Sequence, residues 1–322
     1  MKTRMRMLLL GAVALLAAAC GSTPDAAPFQ LPSENRLPPG ATVLQPGPSE
    51  RGDQSCNPTA SLRPGPQPQP GAMPAGSTMA AIVATGKLRV GVDQNQTHFG
   101  YRNPATGQIE GFDIDIAREV ARDLFGDPDR IELNPTESAN RAPVLVQNKV
   151  DMVVQTFSAT CARRNDVQFS TTYLLADQRL LVTKTSGIHS ATDLVGKKVC
   201  GVYRSTTLDA IFALPQKPTV IGMVNWLDCL TALQQGEVDA ASTDAPILDG
   251  LRVQDPNLEL VGPAMDSDAF AIGIQKQATD FVRFVNGVLE RIRSDGTWQR
   301  LYDKWLSGSG PSTGPPAARY SD

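Results

Sequence analysis

The stretch LVQNKVDMVVQT, residues 145–156, has a counterpart in LQQGEVDAASTD, residues 233–244. Both share the pattern L-x-Q-[NG]-[KE]-V-D, in which a helix ends at an Asn or Gly cap and Val-Asp begins a strand. Helix–cap–strand junctions resemble one another in general, and this explains part of the likeness. Two such units in one chain still favour two similar α/β lobes.

Neighbouring segments support alternating strands and helices. KLRVGV (87–92) and KKVCGVY (197–203) predict strands, whereas FDIDIAREVARDLFG (112–126) and STTLDAIFAL (205–214) predict helices. This order indicates parallel sheets covered by helices, in which ligands bind at the C-terminal ends of strands. The polar residues that end the two repeats are therefore expected to face one cleft.

The first repeat continues into VVQTFSATCARRNDVQFS, residues 153–170. A buried strand gives way to hydroxyl residues and then to Arg163 and Arg164. One interpretation is an anion-binding site at a strand end. The other is an ordinary loop with two solvated arginines, and these residues alone leave both open.

The ends of the chain predict export. Residues 1–19 have a basic start, a short apolar run and small residues before a cysteine, which predicts a lipoprotein signal peptide with Cys20 lipidated. A plain secretory signal is the alternative. Residues 20–79 are rich in proline and predict a tether, and residues 307–322 predict a loose tail. The expected location is extracytoplasmic, anchored to the cell membrane by lipid.

The formal net charge is −3, and it becomes −6 without Lys2, Arg4 and Arg6 of the leader. This charge gives no basic surface for nucleic acid, which we exclude as a partner. After the leader, no apolar stretch in the sequence is long enough to span a membrane.

Four cysteines besides Cys20 predict two disulfides in an exported protein. Cys200 lies in a predicted strand and Cys229 in the helix that follows, so we pair them and leave Cys56 to reach Cys161. A metal site is a poor alternative, because the spacings are wide and the sequence has only two histidines. We predict no metal and no cofactor.

The ordered motifs GKLRVGVD, GFDIDIAREVA, LVGKKVCGVYRSTTLDA and GTWQRLYDKW resemble the bacterial extracellular solute-binding proteins of family 3, the polar amino-acid type. The resemblance implies an α/β fold of the two-lobed periplasmic-binding-protein type (type II), with a ligand cleft between the lobes. Lobe 1 would comprise residues 80–178 and 260–306, and lobe 2 residues 179–259. The crossings would lie near 174–183 and 255–262. The implied partners are a free amino acid and the permease subunits of an ABC importer.

The resemblance also implies how the ligand's α-carboxylate is bound. Arg163, four residues before the Val of V-x-FS, matches the family's carboxylate-binding arginine, and a guanidinium donates two parallel hydrogen bonds to a carboxylate. Ser158 and Thr160 match an upstream amide and hydroxyl. Thr206 and Thr207 begin the second-lobe helix, whose amides favour negative charge. Simple N-capping is the alternative for these two threonines.

The α-ammonium group needs acceptors. Asp244 matches the carboxylate that the family places at the end of a second-lobe strand. A helix N-cap before Ala-Pro-Ile is the competing role for Asp244. Gln155 or Thr156 would add a carbonyl or hydroxyl group, and Asp93 matches an acidic position near the pocket.

The side-chain pocket departs from relatives that bind basic amino acids, because Gln96 and Ser138 stand where those carry aromatic residues. Arg141 resembles the second arginine of relatives that bind aspartate or glutamate; a charge on a helix surface is the alternative. Phe99 is a candidate apolar wall. The favoured ligand is L-glutamate or L-aspartate, followed by glutamine or asparagine, whose amide Gln96 can both donate to and accept from.

Two other functions remain open from the sequence. One is a sensor subunit, whose closed form is recognised by a membrane signalling receptor rather than by an importer. A dehydratase-like enzyme is a minor alternative. The protein is not expected to be an enzyme, because its order of serine, histidine and aspartate offers no defensible catalytic set.

Overall fold

The computed structural model describes residues 37–53 and 55–322 as a two-lobed α/β protein. The described strands are β1 (Thr42–Val43), β2 (Leu88–Val92), β3 (Asn95–Gln96), β4 (Gly100–Arg102), β5 (Ile109–Glu110), β6 (Ile131–Pro135), β7 (Met152–Val153), β8 (Val167–Phe169), β9 (Leu174–Thr183), β10 (Lys198–Val202), β11 (Thr219–Met223), β12 (Ala240–Asp244), β13 (Leu258–Phe270) and β14 (Gly273–Gln275). The described α-helices are α1 (Thr78–Thr85), α2 (Phe112–Phe125), α3 (Arg141–Val146), α4 (Cys161–Arg164), α5 (Thr207–Ala213), α6 (Trp226–Gln234), α7 (Ala245–Arg252), α8 (Thr279–Ser294) and α9 (Thr297–Trp305).

The first lobe is built on the sheet β6-β2-β7-β14-β8. Strand β2 runs parallel to both β6 and β7, and β14 returns antiparallel between β7 and β8. Helix α2 buries the predicted stripe of Ile116, Val120 and Leu124 completely. The C-terminal helices α8 and α9 pack against α2, so the chain ends its helical part on the first lobe.

The second lobe is built on the sheet β1-β11-β10-β12-β9-β13. Strand β10 lies parallel to β11 and β12, which places the ends of β10 and β12 at one edge. Strands β9 and β13 form a long antiparallel pair, in which Leu174 is opposite Phe270 and Thr183 opposite Leu258. The crossings that the resemblance implied, near 174–183 and 255–262, fall on β9 and on the beginning of β13.

Both copies of the repeat fold as predicted, into helix, left-handed cap and strand. Asn148 has a φ of 55° and Gly236 a φ of 70°, the conformation that Asn and Gly adopt most easily. The aspartates of the two Val-Asp pairs then have equivalent roles. Asp151 accepts a hydrogen bond of 2.8 Å from the Arg89 amide in β2, and Asp239 accepts one of 2.8 Å from the Lys198 amide in β10.

The segment predicted as a tether instead contacts both lobes over residues 37–53 and 55–79. Strand β1 extends the second-lobe sheet by pairing with β11, and a disulfide joins Cys56 to Cys161 in the first lobe. The second predicted disulfide, Cys200–Cys229, is also present. A proline-rich composition indicates that a segment has few apolar side chains to bury. It does not show whether the segment pairs with a strand or is attached by a disulfide.

The C-terminal tail is packed rather than loose. Ser61 and Tyr320 form an isolated parallel bridge, and the Asp322 carboxylate accepts a hydrogen bond of 2.8 Å from the Arg63 amide. The tail and the N-terminal segment therefore hold each other against the first lobe.

The predicted signal peptide and Cys20 lie outside the described residues. Among the residues that are described, no helix combines the length and the apolar character needed to cross a bilayer.

Candidate functional site

The loop after β7 carries most of the predicted first-lobe site, and it is buried. Thr156 has a φ of 40°, and its amide donates a 2.8 Å hydrogen bond to the Asp113 carboxylate. The Tyr173 hydroxyl donates to the other oxygen of Asp113 at 2.8 Å. Burial raises the pKa of Asp113 to about 7. Asp113, which the sequence analysis did not include in the site, thus fixes the start of this loop from the core side.

Arg163 lies in the single turn of α4, and its side chain is 7% exposed. Its Nη1 donates to the Ser158 carbonyl at 2.8 Å, and its Nη2 donates to the Arg204 carbonyl of the second lobe at 2.7 Å. The guanidinium also lies over the Phe157 ring, 5.0 Å from its centroid. Burial lowers the pKa of Arg163. A buried guanidinium that already reaches across the cleft is well placed to hold an anion there.

Arg164, the neighbouring arginine, has a structural role. Its guanidinium donates to the carbonyls of Pro58 and Ala60 and lies over the Phe169 ring. Of the two arginines in residues 153–170, Arg163 faces the cleft and Arg164 does not.

Arg141 is the first residue of α3 and is 5% exposed, which rules out a charge on the helix surface. Its guanidinium donates to the carbonyls of Gln155 and Thr156 at 3.2 and 3.1 Å, and to the Arg204 carbonyl at 3.4 Å. Burial, followed by the charge of Arg163, lowers the pKa of Arg141 to about 9.

Arg204 is a site residue that sequence reasoning missed. It follows β10 with a φ of 61°, and its carbonyl accepts from both buried first-lobe arginines. Its side chain, 69% exposed, forms an ion pair of 3.1 Å with Glu50 of the N-terminal segment. The signal that could have revealed it is its place directly after a second-lobe strand.

The predicted hydroxyl residues divide into two groups. Ser158 and Thr206 face each other across the lobes, with their hydroxyl oxygens 3.2 Å apart. Thr206 stands at the start of α5 but makes no side-chain cap, because its hydroxyl donates to Asp268 at 2.8 Å. Thr160 caps α4 by accepting from the Arg163 amide, and Thr207 lies beside the Ser205 hydroxyl at 2.6 Å. Thr160 also donates to the Glu50 carbonyl at 2.7 Å, whereas the Thr207 hydroxyl bonds within the start of its own helix.

Asp244 ends β12 and precedes α7, yet its carboxylate makes no capping bond to that helix. It is 4% exposed, and its Oδ1 has no hydrogen-bond partner within residues 37–53 and 55–322. Burial, and then the negative charge of Asp268, raises the pKa of Asp244 well above its usual value. A buried carboxylate of this kind is stabilised by a cation.

The remaining predicted residues belong to the first lobe. Gln155 donates to Asp93 at 3.2 Å, and burial raises the pKa of Asp93. Gln96 is buried and accepts from the Thr156 hydroxyl at 3.3 Å. Phe99 differs from the expectation of a cleft wall, because it is fully buried in the core and packs edge-on against Phe112. Aromatic identity alone does not separate a pocket wall from a core residue.

Two cavities adjoin these residues. One, of about 190 Å³, is lined by Arg141, Arg163, Arg204, Phe157 and residues 48–50 of the N-terminal segment. The other, of about 200 Å³, lies between Asp93 and Asn225 of opposite lobes and includes Ser138, one of the positions expected in the side-chain pocket. In the part of the chain that the structure describes, no group of three or more metal-ligating side chains occurs.

Comparison with known proteins places the chain in a family. The model of the bacterial extracellular solute-binding proteins, family 3, matches residues 88–308. The chain belongs to this family. The family is one of solute-binding proteins, and its extracellular description agrees with the export predicted from the sequence.

Relatives and solved structures agree with this assignment. The chain is 35% identical over 230 residues to the ABC transporter glutamine-binding protein GlnH of Bacillus subtilis, covering 71% of this chain and 84% of the relative. It is 31% identical over 238 residues to the glutamate-binding protein GluB of Corynebacterium efficiens, covering 70% and 81%. The solved structure of a solute receptor for L-cysteine of Neisseria gonorrhoeae is similar with a TM-score of 0.66 and 29% identity, covering 71% and 94%.

Proposed function

We propose that the protein is a lipid-anchored, extracytoplasmic receptor that binds a polar L-amino acid by lobe closure and delivers it to an ABC importer. L-Glutamate or L-aspartate is the favoured ligand. The observation that carries the proposal is a pair of buried ionisable groups of complementary chemistry, the guanidinium of Arg163 in the first lobe and the carboxyl group of Asp244 in the second. An α-amino acid presents the complementary pair, a carboxylate and an ammonium group.

The two buried charges favour ligand-driven closure. Arg163 already donates across the cleft to a second-lobe carbonyl, and Asp244 has a carboxylate oxygen without a partner in the described chain. Burying either charge is costly unless it is paired. A zwitterionic ligand that pairs with both would contact both lobes at once and favour the closed form.

The preference for an acidic side chain rests on a second arginine. Arg141 and Arg163 both lie over the Phe157 ring, at 4.7 and 5.0 Å from its centroid, and line the same cavity. Two buried guanidinium groups can each bind one carboxylate, which suits a ligand with both an α-carboxylate and a side-chain carboxylate. Arg141 also donates to backbone carbonyls, so the competing candidate is glutamine, the ligand named for the relative from Bacillus subtilis.

Calorimetry of the domain, stripped of bound amino acid, tests the ligand class. The proposal predicts tight binding of glutamate or aspartate and weak binding of arginine and lysine. In Arg141→Met, glutamate binding should fall by more than glutamine binding, and the exposed Arg130→Met should leave both unchanged. If the affinities for the two ligands fall equally, Arg141 holds the loop at Gln155 and Thr156 and does not recognise the ligand's side chain.

Lipid anchoring is a separate part of the proposal and rests on the sequence before Cys20. Membrane fractionation and palmitate labelling of the wild type and Cys20→Ser test it. The proposal predicts a labelled, membrane-bound wild type and an unlabelled, released variant. Equal release of both proteins would contradict it.

A further inference from the structure

Residues 48–52, here called the strap, lie across the cleft and contact both lobes. The Thr160 hydroxyl in the first lobe donates to the Glu50 carbonyl at 2.7 Å. The Ser49 hydroxyl donates to Asp209 in α5 of the second lobe at 2.7 Å. The strap is therefore attached on both sides of the proposed ligand site.

The Glu50 carboxylate lies at the arginine that the proposed function assigns to the ligand's carboxylate. Its two oxygens are 3.7 Å from Arg163 Nη2 and 3.1 Å from Arg204 Nε. The Glu50 side chain is only 13% exposed, so this contact is largely shielded from water. Two carboxylates at one guanidinium repel each other, so a ligand carboxylate cannot approach Arg163 with the same strength while Glu50 remains.

Arg51, the next residue of the strap, places a positive charge at the acidic side of the cleft. Arg51 forms ion pairs of 2.8 Å with Asp266 and 3.1 Å with Asp268. Asp268 and Arg51 are also the neighbouring charges that act on Asp244. The dipeptide Glu50-Arg51 thus presents a negative group to Arg163 and a positive group to the acidic side of the cleft, as a zwitterionic amino acid would.

Covalent and backbone contacts keep the strap close when it moves. The Cys56–Cys161 disulfide attaches the chain four residues beyond the strap, next to α4. Gly52 has a φ of 76°, and a Cβ at this position would lie 2.8 Å from the Ala162 amide nitrogen, so the approach to α4 depends on glycine. A tethered group acts at a high effective concentration and rebinds quickly.

We propose that the strap is a built-in competitor, in which Glu50 occupies Arg163 until an amino acid displaces it. This inference rests on the proposed function, because it takes Arg163 as the site of the ligand's α-carboxylate. The apparent affinity is reduced by the fraction of molecules in which the strap is bound. The strap therefore sets the ligand concentration to which the receptor responds.

Calorimetry of the full processed chain with glutamate and aspartate tests this inference. Glu50→Gln keeps the size of the side chain and removes its charge, so the variant should bind roughly 5- to 50-fold more tightly than the wild type. Glu132→Gln, an exposed change on the edge strand β6, is the matched control and should leave the affinity unchanged. Equal or weaker binding by Glu50→Gln overturns the inference and leaves the proposed function intact. Binding of no amino acid by either protein overturns the proposed function, and the inference with it.

Limited proteolysis gives a readout that needs no ligand. Trypsin cleaves after Arg51, whose guanidinium is held by two carboxylates in the bound strap. Cleavage at this bond, followed by mass spectrometry, should be slow in the wild type and several-fold faster in Glu50→Gln. Saturating ligand should accelerate it in the wild type. Cleavage at one rate in all three samples would overturn the inference, whatever the calorimetry shows.

Discussion

Replacing Arg163 by alanine removes the guanidinium that the proposed function assigns to the ligand's α-carboxylate. The side chain is 7% exposed and donates to carbonyls of both lobes, so a carboxylate bound beside it is shielded from water. Truncation of one partner of a buried, hydrogen-bonded charge pair costs about 2–5 kcal/mol. The dissociation constant should therefore rise by roughly 30- to 5,000-fold.

Calorimetry or competition with a tighter ligand measures this change, and thermal unfolding confirms that each variant is folded. Arg163→Lys keeps the charge without the planar fork and should lie between the wild type and alanine. Arg122→Ala, which removes an exposed guanidinium group paired with the buried Glu119, is the control and should bind normally. An Arg163→Ala protein that is folded and binds its amino acid as tightly as the wild type would refute the assignment.

Three further predictions concern Asp244, Asp113 and the second disulfide. Asp244→Asn should weaken binding by roughly 10- to 100-fold, the value of a hydrogen bond to a charged group. In the wild type, affinity should fall as the pH is lowered through the raised pKa of Asp244, because the carboxylate then takes up a proton and loses its charge; pH-independent calorimetry would contradict this. Burial raises the pKa of Asp113 from 3.8 to about 7, so the folded state binds more protons than the unfolded state between these values. The free energy of unfolding should consequently decrease from pH 4 to pH 7, and Asp113→Asn should flatten this slope in denaturant titrations; an unaltered slope would contradict the shift. Replacing both Cys200 and Cys229 by alanine opens a loop of sequence separation 29 and should lower the free energy of unfolding by about 3–4 kcal/mol, whereas an unchanged denaturation midpoint would contradict a structural role.

The sequence predicted those features that depend on local periodicity. The repeated L-x-Q-[NG]-[KE]-V-D pattern indicated two helix–cap–strand junctions, and both form with Asn148 and Gly236 in the left-handed conformation. The amphipathic stripe of α2 and the strands β2 and β10 are also where the pattern placed them. Each of these features follows from neighbours along the chain, so no knowledge of distant contacts was needed.

Features that depend on distant contacts were not predictable in the same way. The strap belongs to a segment whose composition indicates a spacer, but it is held in the cleft by an ion pair between Glu50 and Arg163, more than a hundred positions away. The cysteine count predicted the disulfide that attaches this segment, but it did not predict the position of the strap. Asp268 lies within the long strand β13, where no local motif marks it as a partner of Thr206. Phe99 was expected in the cleft but lies in the core. Its position depends on packing against Phe112 and Phe270, which the local sequence does not reveal.

A crystal structure of the stripped protein grown with its tightest-binding amino acid tests the central claim most directly. The distance that decides is the one between the ligand's α-carboxylate and the Arg163 guanidinium. Our account predicts about 2.7–2.9 Å, with the ligand's ammonium group at Asp244 and the Glu50 carboxylate displaced from Arg163. A ligand whose carboxylate lies elsewhere, with Glu50 still beside Arg163, would contradict both the assigned site and the role of the strap.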